Sequence, residues 1–305
     1  MYCLQFLYFC RPFLKRICQL ERMMRRFVIY FCISLLLVGC HRHKASITIV
    51  PDFAKTHLQR EHLYGNVRTV VDSMFYSPLG ADSVSADRLV SLTVYRYSAD
   101  GWLNQVLKMS ANGDTMSNRL MHYDDNAKLV KDELFDSTRS CIEYTIYEND
   151  KRGLRVKEEH FAGDELLQTI LYQNDAFGNL IEMTVRNSEY TLTRKYTNNE
   201  LGLVVRVDEF DPDGKLFKYV TMDYDNYGDI VNRNVHRDDG QIREFTHTQY
   251  ADNGALLKTI YENKLSQGNE VREFSDHDNQ RNWTRSVRKN AGRIFFIIKR
   301  EIEYY

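Results

Sequence analysis

The residues of this chain that could do chemistry are its histidines, its aspartate-rich turns, a few adjacent carboxylates and two tryptophans. Asp211 and Asp213 precede Gly214, and Asp223 and Asp225 precede Gly228. That spacing suggests calcium, but neither run has the full ligand spacing or the bidentate Glu of an EF-hand loop, and turn formation accounts for both. His41, His43, His57 and His62 fall within 22 residues, yet their spacings match no structural zinc pattern. His122, His160, His236 and His247 recur at strand or turn-adjacent positions, and drift of the repeat explains them better than catalysis. Glu158 and Glu159, if on a strand, project to opposite faces and cannot work as an acid and base pair. The chain contains no Gly-x-Ser-x-Gly elbow, His-Glu-x-x-His, Walker lysine loop or Rossmann glycine fingerprint. No catalytic residue, metal ligand or cofactor is therefore assigned. Trp102 and Trp283 each stand just after a turn and are the candidate binding aromatics, because a large amphipathic ring binds at low entropic cost.

The elements that must position these residues are set by turn chemistry. Gly101, Gly113, Gly178, Gly214, Gly228, Gly240 and Gly254 follow short runs of Asp, Asn or other polar residues. Asp and Asn bond their own backbone, and Gly supplies positive φ without steric cost, so each run reverses a strand. Between the turns lie segments such as LFKYVTMDY and GLVVRVDEF, rich in β-branched and aromatic residues with apolar positions two apart. Tyr97, Tyr123, Tyr147, Tyr172, Tyr196, Tyr224 and Tyr250 recur at steps of 24 to 28 residues, with weaker turns halfway between. The unit is a hairpin of about 25 residues. The expected fold is all-β: a repetitive antiparallel meander of about 18 strands. Neighbouring strands rotate by about 20 to 25°, and open sheets seldom exceed about ten strands without curling, so a strongly twisted or curled sheet, open barrel or spiral is expected. The apolar strand Ile294 to Ile302 is the expected cap of its end. Ala127 stands where the turn pattern calls for Gly, and Val there is expected to cost less than Val at Gly228 or Gly254.

The N-terminal region is of another kind. Residues 1–22 are apolar but broken by Arg11, Pro12, Lys15 and Arg16, and they resemble translated upstream sequence ahead of a start at Met23 or Met24. From there, 23–39, run Arg25-Arg26, a dozen apolar residues too few to span a bilayer, and Leu37-Val38-Gly39-Cys40: a signal peptide with its cleavage site. The last four residues resemble the lipobox of bacterial lipoproteins, which implies cleavage between Gly39 and Cys40 and diacylation of Cys40. Residues 40–62 read as a lipid-anchored tether that ends in a short helix near 53–63, and 63–305 as the β domain. Cleavage leaves 35 basic against 41 acidic residues, a net charge near −6, which argues against a nucleic-acid partner. Cys141 is then left without a disulfide partner, since Cys40 is acylated.

Tyr224-Asp-Asn-Tyr-Gly-Asp-Ile230 and Phe177-Gly-Asn-Leu180 approach the pattern Tyr-Asp-x-x-Gly-Asn-Leu, and over Leu89 to Tyr305 the chain resembles the YD-repeat, or Rhs-repeat, class. Asn282-Trp283-Thr284 and Tyr304-Tyr305 resemble the ending of small lipid-anchored repeat proteins of Bacteroidetes-type bacteria. The resemblance implies a cell-envelope protein, held in the membrane by its N-terminal lipid, with a non-catalytic binding or structural role toward a protein or glycan. His41-Arg42 lacks the Asp that retains enteric lipoproteins in the inner membrane, which points to the outer membrane. The alternative is an envelope hydrolase with its site in the concave face of the sheet.

Overall fold

The computed structural model describes residues 55–76, 88–265 and 268–305. Residues 1–54, with the lipobox-like run Leu37–Cys40 and with His41 and His43, lie outside the described residues, as do the loop at 77–87 and residues 266–267.

One four-residue helix, α1 (His57–Arg60), precedes eighteen strands: β1 (Val67–Tyr76), β2 (Arg88–Tyr97), β3 (Leu103–Ser110), β4 (Thr115–Tyr123), β5 (Leu129–Asp136), β6 (Cys141–Asn149), β7 (Arg155–Ala162), β8 (Glu165–Asn174), β9 (Leu180–Asn187), β10 (Thr191–Asn198), β11 (Val204–Phe210), β12 (Leu216–Tyr224), β13 (Ile230–Arg237), β14 (Ile242–Tyr250), β15 (Leu256–Asn263), β16 (Gly268–His277), β17 (Trp283–Asn290) and β18 (Arg293–Tyr304). Every strand pairs antiparallel with its neighbours in sequence, and β18 returns to pair with β1 from Val67↔Tyr304 to Tyr76↔Phe296. The meander is therefore a closed barrel. Of the arrangements open to a curled sheet, closure is the one that leaves no edge strand with unpaired backbone groups. The strand expected to cap the end, β18, is instead the strand that completes the ring.

The turns that join even to odd strands all lie on one rim and share one construction. In the turn after β6, Asp150 N donates to Leu154 O and Gly153 N to Asp150 O, while Asp150 Oδ1 accepts from Arg152 N and Leu154 N. The turns that begin at Asp124, Asp175, Asn199, Asp225 and Asp278 repeat these bonds. This is a type I turn followed by a left-handed residue that bulges the next strand. Gly228 has φ 84° and Gly254 φ 84° at that position. Ala127 has φ 58° and Arg281 φ 74° in the equivalent turns, so the absence of Gly does not mark a relaxed turn; Val at Ala127 is still expected to cost less than Val at Gly228 or Gly254, because the wild-type turn already bears the cost of a Cβ. The turn's own hydrogen bonds hold a residue with a Cβ in left-handed backbone there.

Eighteen strands enclose more space than side chains fill, and the inward face is accordingly polar at mid-height. Asp72, Asp132, Glu158 and Glu209 are each 9% exposed or less, and each meets a cation. Arg300 grips Asp72 with two bonds of 2.7 Å, Arg119 bonds Asp132 at 2.6 Å, Arg155 bonds Glu158 at 2.8 Å, and Arg194 and Lys218 reach Glu209 at 2.6 and 2.9 Å. Alternation sends the flanking residues outward, and on that face too stand ion pairs: Lys131 with Glu133, Lys157 with Glu159, and Arg206 with Asp208. A compact apolar core forms near the seam, where Leu58, Leu63, Val67, Val70 and Tyr97 pack together against Tyr95, Leu103, Ile302 and Tyr304.

Because a left-handed Ala carries a steric cost that Gly avoids, Ala127→Gly is expected to stabilise the barrel by up to about 1 kcal/mol, and Gly228→Val and Gly254→Val to destabilise it by about 1 to 3 kcal/mol. Thermal melts of the three variants check the turn geometry. An Ala127→Gly variant that melts below wild type contradicts it.

Candidate functional site

The segment ahead of β1 lies across the rim just described. Thr56 caps α1: Gln59 N donates to Thr56 Oγ1 at 3.4 Å and Thr56 N to Gln59 Oε1 at 2.8 Å, a capping box. Leu58 N donates to Gly101 O in the turn after β2. His62 Nδ1 lies 3.4 Å from Asp229 Oδ1 in the turn after β12, and Tyr64 Oη donates to Gly254 O in the turn after β14 at 2.8 Å. Asn282, 1% exposed, completes the attachment: its Oδ1 accepts from Tyr64 N and its Nδ2 donates to Tyr64 O, both at 2.8 Å. Residues 56–62, assigned to the tether, thus belong to the barrel as a cap on its mouth. Four helical residues are too few to show a period, yet the short helix expected near 53–63 is found at His57–Arg60.

Beside the cap, the mouth opens into a chamber of about 510 Å³ lined by His57, Arg60 and Trp102 on the cap side and by the inner wall from β4 to β11. A change in the repeat makes this space. The last residue of an even strand reaches back to a backbone carbonyl at the start of the preceding odd strand. Tyr123 Oη does so to Leu103 O at 2.6 Å, and Tyr224 Oη to Val204 O at 2.7 Å. In the three hairpins between them the same role falls to a carboxamide: Asn149 Nδ2 to Leu129 O at 3.1 Å, Asn174 Nδ2 to Arg155 O at 3.0 Å, and Asn198 Nδ2 to Leu180 O at 2.9 Å. There the tyrosine has moved two residues earlier, giving Tyr147-x-Asn149, Tyr172-x-Asn174 and Tyr196-x-Asn198. Successive inward residues lie two apart, so the phenols sit one pleat deeper and the shorter amides leave the mouth open. The spacing Tyr-x-Asn in three consecutive hairpins is the signal by which the chamber could have been found.

The floor of the chamber is charged and pre-bonded. Arg155 Nη1 holds Glu158 Oε1 at 2.8 Å, His160 Nε2 lies 3.3 Å from Glu158 Oε2, and the Arg155 guanidinium covers the Tyr147 ring at 4.0 Å. Burial acts to raise the Glu158 pKa, but bonds from His160 and Tyr172 and the Arg155 charge outweigh it and hold the carboxyl below its usual range. Burial, then the Glu158 charge, pushes the Tyr172 phenol up, and burial pushes Tyr123 up to about 12. Both phenols remain hydrogen-bond donors at neutral pH. At the upper edge, His57 meets Trp102 edge-on at 5.7 Å, and Trp102 lies 6.2 Å from Tyr123. Burial, followed by the charges of Arg60 and Arg155, lowers His57 to about 4, so it is neutral above pH 5.

Trp102 is placed in this chamber and Trp283 is not. Trp283 is 7% exposed, packed on Phe274, with the Arg300 guanidinium 3.6 Å over its ring. The position after a turn, which suggested a presented ring, here turns the indole into the barrel beneath the cap. Glu158 and Glu159 fall on opposite faces, as their adjacency requires, and His160 alone of the four strand histidines shares the inward face with a buried carboxylate. Among the described residues, no group of three or more His, Cys, Asp or Glu is arranged to hold a metal ion.

No family model matches this chain, and no curated protein matches it. Among solved structures it is similar to a porin-like protein from Bacteroides uniformis ATCC 8492 at a TM-score of 0.42 and 11% identity, over 79% of this chain and 98% of that one. A porin-like protein from Bacteroides vulgatus ATCC 8482 aligns at a TM-score of 0.31 and 11% identity, over 78% and 98%. The TcdB2-TccC3-TEV structure aligns at 0.35 and 13% identity, over 68% of this chain; the match spans only 14% of that much longer chain.

His57 gives the cap a defined pH dependence. Its folded pKa of about 4 lies below the unfolded value of 6.5, so the fold binds fewer protons than the unfolded chain, and the cap is fully stable above pH 6.5 and loses stability as pH falls toward 4. Hydrogen-exchange protection factors at the Leu58 and Leu63 amides are expected to be flat above pH 6.5 and to decline below it in wild type, and to decline less in His57→Gln. Equal declines in both proteins contradict the assignment.

Proposed function

We propose that this chain is a lipid-anchored cell-envelope barrel of the YD-repeat type that stands outside the bilayer and binds a soluble glycan in the chamber at its capped mouth. The observation that carries the reading is the lining itself. Trp102 offers an apolar ring face, the phenol oxygens of Tyr123 and Tyr172, whose hydrogens go to Leu103 O and Glu158, remain as acceptors, and each of Asn149, Asn174 and Asn198 uses one amide hydrogen on the wall, leaving its oxygen and second hydrogen for hydroxyl groups. A row of fixed, bidirectional hydrogen-bonding groups beside an aromatic face suits a polyhydroxylated ring. The volume lies within the roughly 300 to 1,000 Å³ of small-ligand sites.

Binding without hydrolysis follows from the carboxylates. Glycoside cleavage ordinarily needs a pair of them, and among the described residues Glu158 is the one carboxylate in the lining, already bonded to Arg155 and His160. The outer face supports a position outside the lipid. Lys131, Glu133, Lys157 and Glu159 project from the middle of their strands, where a lipid-facing Lys costs about 2 to 4 kcal/mol. Attachment then falls to Cys40, whose two acyl chains suffice for a stable anchor, and the residues after it favour the outer membrane.

Two measurements test this. Cys40→Ser is expected to abolish incorporation of labelled fatty acid and to release the protein from the membrane fraction, and unchanged labelling contradicts the anchor. On an array of neutral and acidic glycans the detergent-solubilised protein is expected to retain at least one class, with roughly tenfold weaker retention for Trp102→Ala. Retention of none contradicts the glycan reading.

A further inference from the structure

The chamber has a charge bias that the glycan reading alone does not require. Among the described residues Arg60, Lys128 and Arg155 line it, against Glu158 as the one carboxylate, and His57 is neutral. Two nitrogens on its lining residues are buried with no hydrogen-bond partner: Nε of Arg155 and Nδ1 of His57. Arg155 is fixed from three sides. Its Nη1 is held by Glu158, its plane lies on the Tyr147 ring, and its own carbonyl receives Asn174. A guanidinium immobilised in this way with an unmet Nε–H is pre-organised to donate to an anionic oxygen, and a carboxylate supplies one. The unmet His57 nitrogen lies across the mouth beside Trp102 and, being uncharged, suits a hydroxyl rather than a second anion.

Resting on the glycan reading above, we propose that the ligand is an acidic saccharide of the uronic-acid type, its ring against Trp102 and its carboxylate on the free Nε–H of Arg155. The neighbouring Asn149, Asn174 and Asn198 carboxamides then meet the ring hydroxyls, and Lys128 adds to the positive field at the entrance. A neutral sugar of the same size forgoes the contact with Arg155 and leaves that buried donor unpaired, which sets the selectivity.

Calorimetric titration of the full protein in detergent, at low ionic strength, with digalacturonate and with its neutral counterpart digalactose, tests the proposal. The acidic disaccharide is expected to bind at least tenfold more tightly, with the difference shrinking as salt is raised. Glu158→Gln, which removes the competing negative charge, is expected to strengthen digalacturonate binding. The double variant Arg155→Gln/Glu158→Gln removes both members of the ion pair, so neither charge is left buried alone, and it is expected to lose the preference while melting within a few degrees of wild type. Equal affinity for the two disaccharides overturns the acidic-ligand proposal and leaves the glycan reading standing, binding of neither overturns both, and a preference that survives in a folded double variant overturns the role of Arg155.

Discussion

The pairing of the last strand with the first is the constraint on which this structure depends. The strands follow one another round the ring in sequence order and, among the described residues, no helix layer covers either face, so the sheet satisfies its backbone by closing on itself. The seam is made secure by side chains as well as by the ladder. Arg300 and Asp72 form a two-bond pair on the inner face, Tyr305 N donates to Asn66 O, and Tyr305 Oη donates to Tyr97 O. The apolar cluster at the cap lies at this junction. Closure also fixes the interior. A ring of this strand number is too wide to fill with side chains, so the inward residues face one another across polar space, and each carboxylate there has a cation within bonding distance. Removing one partner of such a pair leaves a buried charge, a loss of about 3 to 5 kcal/mol.

From closure follows the site. A wide barrel is open at both ends unless something crosses them, and at the mouth that receives the chain from its N-terminal side the crossing is made by residues 55–66. Their hold depends on Asn282 and on the turns after β2, β12 and β14 rather than on helical propensity, since α1 is only four residues long. The cap covers the seam side of the mouth, and the three Tyr-x-Asn hairpins open the other side. The chamber is what remains between them, which is why its lining draws on the cap and on β4 to β11 together.

Much of this architecture is legible in the sequence because it is local. The steps between Tyr97 and Tyr250 count the hairpins, Asp and Gly mark the turns, and the strand number follows. Closure is not local: nothing in VRTVVDSMFY or RIFFIIKREIEY names the other as its partner, and an open spiral has the same periodicity. The candidate site was half visible. Trp102 was singled out by its place after a turn and lies in the chamber, whereas Trp283, chosen for the same reason, is buried under Arg300. The two differ in what lies above them, the open mouth in one case and the Asn282 clamp in the other, and spacing alone carries no trace of that. In the hairpins of Tyr147, Tyr172 and Tyr196 the tyrosine stands two residues earlier, which exchanges a phenol for an amide at the rim and so creates the space. Ala127 and Arg281 mislead, because the turn keeps its left-handed residue even where the sequence does not supply Gly.

The central claim is that the ring closes, and a cross-link across the seam tests it most directly. Ser73 and Lys299 are register partners on β1 and β18, 226 positions apart in the chain, and paired strands place Cα atoms about 4.5 to 5.5 Å apart, within the range a disulfide bridges. In a Cys141→Ser background, Ser73→Cys/Lys299→Cys is expected to oxidise as completely as a control pair at Thr197 and Arg206, partners on the adjacent strands β10 and β11, and to raise the melting temperature. A control pair that oxidises fully while the seam pair stays reduced would mean that the sheet is open, and with it the capped mouth and its chamber would have to be abandoned.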